Sequence, residues 1–227
     1  MRVPLLPTLR WSLPMAFGVL CGGLGAQAPD PVSAPVPAPA TRLAMAADRA
    51  VVQAMSDVRV QPRAFARELR ALRDFDGTLW LRPGRIPLRT DEGLAAVDEA
   101  IRFLETVRPL GPLRFNEGLA RAARLHAQDL GPRGALEHVG ADGSRLSERL
   151  NRLGTWQGLV AENIGTLEVD AHQVVFQLLI DDGVANRGHR HNLFNPDLHQ
   201  AGAGSAPHTL FKVVTVIDYA DGFVPNP

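Results

Sequence analysis

Residues 210–219, LFKVVTVIDY, constrain the fold more than any other stretch of this chain. β-Branched and aromatic residues dominate it, which is the composition of a strand. Successive strand side chains alternate between faces. Here one row reads Phe211, Val213, Thr215, Ile217, Tyr219 and the other Leu210, Lys212, Val214, Val216, Asp218. Both rows are mainly apolar, so both faces must be covered. The covering elements have to be helices, which predicts an α+β chain folded as a three-layer α–β–α sandwich.

Helices to fill those layers are legible. Thr41 can cap a helix carrying Leu43, Ala47, Val51 and Met55, and Pro62 starts a second with Phe65, Leu69 and Leu72 on one face. Residues 74–89 hold two glycines and two prolines and read as a loop or short hairpin. Thr90-Asp91-Glu92 opens a helix with Leu94, Val97, Ile101 and Leu104, closed by Gly111-Pro112. Asn116 caps the next, with Leu119, Ala122, Ala123, His126 and Leu130 at helical spacing and Gly131-Pro132 as its end. His126 falls on the buried face and reads as a hydrogen-bonded core histidine. A short helix is expected within residues 144–153. Residues 171–182 repeat the pattern, with Ala171, Val174, Val175, Leu178 and Leu179 facing a core.

The N-terminus has the form of a secretory leader. Arg2 and Arg10 precede a short apolar run, and Ala26-Gln27-Ala28 is a small-x-small cleavage site, so residues 1–28 are read as a signal peptide. The expected destination is the periplasm or the outside of the cell, with no integral membrane segment after cleavage. Residues 29–41 are rich in proline and alanine and read as a linker. The single cysteine, Cys21, lies in the leader, so the mature chain has no disulfide. A formal net charge of zero gives no support to a nucleic-acid partner.

Chemistry concentrates around residues 159–193. His138, Glu162 and His189 are imidazole and carboxylate donors of the kind that zinc and similar divalent ions accept. At about 100° of rotation per residue, Asp182 lies near the middle of the apolar face of the 171–182 helix, and Asp181 a quarter turn aside. Asp182 then points inward toward whatever His189 faces. Its other reading is a turn in which it bonds backbone amides near Gly183. His191 shares a face with His189 if the segment is extended and diverges from it if helical. Arg190 between them reads as a loop anchor. His172, His199 and His208 read as surface residues.

The ordered set residues 119–127 (LARAARLHA), His138-Val139-Gly140, Glu162-Asn163-Ile164 and Gly188-His189-Arg190 resembles bacterial members of the CAP superfamily, the cysteine-rich secretory, antigen 5 and pathogenesis-related 1 proteins, also called SCP-like. Asp57-Val58-Arg59-Val60-Gln61-Pro62 is similar to the family's first-helix segment, and residues 201–204 and 218–220 to its C-terminal part. The resemblance spans residues 42–223, with an insertion at about 75–111 that could wall the cavity. It implies the α–β–α sandwich, with a central, mostly antiparallel sheet. It also implies a shallow cavity of two histidines and two acids. His138, Glu162 and His189 occupy three of those places, and Asp182, or else Asp181, the fourth.

Three functions follow as expectations. The first is an exported binding module holding zinc or another divalent metal on His138 and His189, with a lipid, sterol or peptide as further ligand. The second is a metal-assisted hydrolase with Glu162 as general base. The third is an interaction domain in which these residues only brace the fold. The chain has no G-x-S-x-G and no mature cysteine, which favours binding or bracing over catalysis.

Overall fold

The computed structural model describes residues 39–227 except 83 and 167–169. The expected leader and most of the expected linker lie outside those residues. The last part of the linker, from Pro39, is the first turn of helix α1 (Pro39–Val60).

β7 (Lys212–Pro225) is the strand foreseen above, and every residue from 214 to 220 is buried. It pairs antiparallel with β6 (Gln200–His208) on one side and with β5 (Gly154–Thr166) on the other. A two-residue strand, β4 (Arg114–Phe115), runs parallel to β6 and completes the order β4-β6-β7-β5. β5 is therefore an edge strand of this sheet.

The two faces are clad differently. On one, Ala201, Ala203, Ile217 and Tyr219 pack with α1, α2 (Pro62–Ala71), α3 (Leu94–Thr106), α6 (Ala171–Ile180) and α7 (Gly188–Leu193). On the other, Ile164, Val214 and Val216 meet Ala123, Ala127 and Leu130 of α4 (Glu117–Arg133), and Leu150 of α5 (Leu146–Asn151) packs near Ala220 and Phe223. Small residues let α4 lie directly on β6. A Cβ at Gly202 would sit 2.0 Å from the Ala120 nitrogen, and one at Gly204 2.2 Å from that of Arg124.

Local signals mostly match. Asn116 caps α4 by accepting from the Gly118 and Leu119 amides. α4 runs through the expected stop at Gly131-Pro132 and ends at Arg133. The 74–89 loop is a small antiparallel sheet of three two-residue strands, Phe75–Asp76, Leu79–Trp80 and Leu88–Arg89. β5 and β6 were not foreseen as strands. Among the described residues no helix is long and apolar enough to cross a membrane.

Candidate functional site

β5 places the adjacent residues Glu162 and Asn163 on opposite faces of the sheet. Glu162 points to the α4–α5 layer, where its side chain is 3% exposed. One oxygen accepts from His138 Nδ1 at 2.8 Å, and the other from the Arg149 guanidinium. Arg149 also donates to the carbonyls of His138 and Ser144, at 3.0 Å each, fixing the loop that carries the histidine. Burial pushes the Glu162 carboxyl up, but the His138 hydrogen bond and the Arg149 charge outweigh it, and the net shift is down. His126 is buried as expected and donates from Nε2 to the Glu137 carbonyl at 2.9 Å. The same nitrogen lies 3.9 Å from Glu162. Burial lowers its pKa, which favours the neutral ring.

On the other face, Asn163 donates to the carbonyl of His189 at 3.1 Å and to the Tyr219 hydroxyl at 2.9 Å. Asn192 donates to the Asn163 side chain at 2.8 Å and to the Glu162 carbonyl at 3.3 Å. The His189 ring donates from Nδ1 to Asp181 at 2.6 Å. Thus two histidines near one edge strand, one on the loop before α5 and one on α7, each have their Nδ1 held by a buried carboxylate. No protein partner is found for either Nε2 among the described residues.

The acid facing His189 is Asp181, which corrects the expectation for Asp182. α6 ends at Ile180, and Asp181 takes a left-handed conformation at φ 53°. Rotation of 100° per residue stops applying there. Asp182 turns away, and its carboxylate accepts from the Asp91 and Glu92 amides at 2.7 and 2.9 Å, just ahead of α3. His191 is exposed, because residues 188–193 are helical and carry it away from His189. Arg190 is an anchor: it donates to the carbonyls of Leu179 and Ile180 and to Glu99. His172 and His199 are exposed, whereas His208 is buried and bonds the Ala135 carbonyl.

Sequence reasoning missed Arg149, Asp218 and the Asn163–Asn192 pair. Arg149 had one available signal, its position on a helix that follows the His138 loop directly. Asp218 stood out only as an acid in a mainly apolar strand row.

A three-layer sandwich with two carboxylate-held histidines at a sheet edge is the class this structure defines. Residues 89–219 match the cysteine-rich secretory protein (CAP) family, and the chain belongs to that family. The match begins inside the segment expected as an insertion and takes in α3. Among solved structures, an extracellular SCP-domain protein from Bacillus anthracis is similar at 20% identity and TM-score 0.40, over 56% of this chain and 38% of that one. An outer surface protein from Borrelia burgdorferi is similar at 19% identity and TM-score 0.40, over 49% of this chain and 78% of that one. The chain thus spans less than two fifths of the Bacillus protein. No curated protein matches it.

Proposed function

We propose that this is an exported binding domain whose His138 and His189 take a divalent metal ion through their Nε2 atoms. The observation that supports this is the pair of buried carboxylates, Glu162 and Asp181, each accepting from an Nδ1. Such a bond fixes the tautomer with Nε2 as the ligating nitrogen and orients the ring, as second-shell carboxylates do in metal sites. The donors fit zinc or a similar ion of intermediate softness. Among the described residues no three His, Cys, Asp or Glu side chains are grouped to hold a metal, so two imidazoles are what the chain would offer the ion. The ion would supply a Lewis-acidic position, and the remaining coordination places are where a small peptide or other ligand would attach.

The hydrolase reading with Glu162 as general base is less favoured. Both Glu162 oxygens are already engaged, by His138 and Arg149, and its side chain is nearly closed to water. Its chemistry here is to hold an imidazole.

Calorimetric titration with Zn2+ tests the proposal. The wild type should take up one ion per chain, and His138→Ala and His189→Ala should each weaken uptake at least roughly tenfold. Uptake unchanged in the double variant would overturn it.

A further inference from the structure

Behind the Glu162 half of the site lies a second acid. Asp218 of β7 is the direct cross-strand partner of Glu162 in the β5–β7 register, so both side chains rise from the same face of the sheet. Asp218 is 0% exposed, and neither of its carboxyl oxygens meets a donor. The next position in that row, Gly202 of β6, lets the α4 backbone lie against the sheet and shut water out.

The charges around the pair can be counted element by element. From α5 comes Arg149, whose guanidinium is committed to Glu162 and to two backbone carbonyls. From α4 comes His126, whose Nε2 is spent on the Glu137 carbonyl and whose burial disfavours a charge. The loop before α5 supplies His138, bonded to Glu162. β6 contributes no side chain at Gly202, and the Tyr219 hydroxyl lies on the opposite face. One guanidinium is therefore set against two buried carboxyls. A second carboxylate here would be an uncompensated charge in a dry interior, which folded proteins avoid by neutralising the group. Two carboxylates would also have only acceptors to offer each other. A proton on Asp218 removes both problems, because the acid becomes a donor with Glu162 in reach.

We infer that Asp218 is kept as the neutral carboxylic acid and donates a hydrogen bond to its cross-strand neighbour Glu162, which remains the acceptor. In this role Asp218 is a positioning residue. Glu162 then receives three donors, Asp218, His138 and Arg149, and has one stable orientation. Burial and the neighbouring Glu162 carboxylate both hold the Asp218 carboxyl well above the ordinary range, which agrees. The inference concerns Asp218 alone and does not require a bound metal.

Carboxyl-carbon NMR of protein labelled at aspartate tests it, with Asp218 assigned by its loss in Asp218→Asn. The expected resonance at neutral pH is that of a protonated acid, and an ionised carboxylate would overturn the inference. Stability gives a second readout. An acid whose pKa is raised by folding is neutral in both states below its unfolded value, about 3.9. As pH rises past that value, only the unfolded state ionises, and the folded state loses ground. Asp218→Asn keeps a donor and removes this loss. Relative to wild type it should gain stability between acid and neutral pH, and a variant that becomes relatively less stable over that range would also overturn the idea. Protonated Asp218 in a protein that takes up no Zn2+ would sink the metal proposal and leave this one standing.

Discussion

Asp181 and His189 are joined twice: one carboxylate oxygen accepts from the ring Nδ1 at 2.6 Å, and the other from the His189 amide at 2.8 Å. The second oxygen also takes the Arg190 amide at 3.3 Å. One fully buried side chain thus aims the imidazole and satisfies the first amides of α7. Asp181→Ala should strand those amides and cost about 1–3 kcal/mol in denaturant unfolding. Zn2+ uptake should fall roughly 10–100-fold with it, as for lost second-shell partners. Asp182→Ala removes only the contacts ahead of α3, so about 1 kcal/mol is expected with uptake unchanged.

Arg149 is the cation that makes a buried Glu162 tolerable. Removing one partner of a buried pair leaves an uncompensated charge, and Arg149→Ala should cost about 3–5 kcal/mol. Adding Glu162→Gln removes that charge, so the double variant should recover part of the loss. A double-mutant cycle in urea measures this, and simple additivity would show that the two side chains are not coupled.

Helix α7, which bears His189, is clamped to α3 and the turn before it: Arg187 bonds both Glu92 and Glu99, while Arg190 bonds Glu99. Hydrogen bonding by Arg187 pulls the Glu99 carboxyl down to about 2, against burial and with help from Arg190. A carboxyl depressed by folding stabilises above its unfolded pKa, about 4.3, and that support fades as pH falls toward the folded value. Glu99→Gln should therefore be less stable than wild type at neutral pH. The two should converge in an acid titration over that window. Glu99 is 41% exposed, so screening limits the gap to on the order of 1 kcal/mol.

What the sequence disclosed follows the physics of each signal. β7 was legible because burial on both faces leaves two mainly apolar rows, and α6 because its apolar residues recur at helical spacing, even though residues 174–180 are all buried. His138, Glu162 and His189 stood out as imidazole and carboxylate groups around the 171–182 helix and through the family resemblance. β6 was hidden because Gln-Ala-Gly-Ala-Gly-Ser-Ala-Pro contains poor strand formers, chosen by the closeness of α4 and not by strand propensity. The roles of Asp181 and Asp182 were exchanged because a left-handed residue at a helix end breaks the rotation used to place them. Arg149 and Asp218 act through partners distant in sequence, and no local pattern marks such pairs.

That hidden strand also gives the severest substitution. At Gly202 an added methyl would meet the Ala120 nitrogen at 2.0 Å and the Leu119 carbonyl carbon at 2.5 Å, and both are backbone atoms that cannot rotate aside. α4 would have to lift from the sheet, and with it the cover over Asp218 and Glu162. Overpacking of a core commonly costs about 1–3 kcal/mol; with backbone on both sides of the clash, Gly202→Ala should reach or exceed the top of that range. Gly111 is the control, because an added Cβ there meets nothing within 4 Å. Gly111→Ala should be neutral, or stabilise by roughly 0.4–1 kcal/mol through the unfolded chain. Thermal unfolding of the two variants side by side decides the matter: equal melting temperatures would mean that α4 does not rest on β6 as closely as the structure places it.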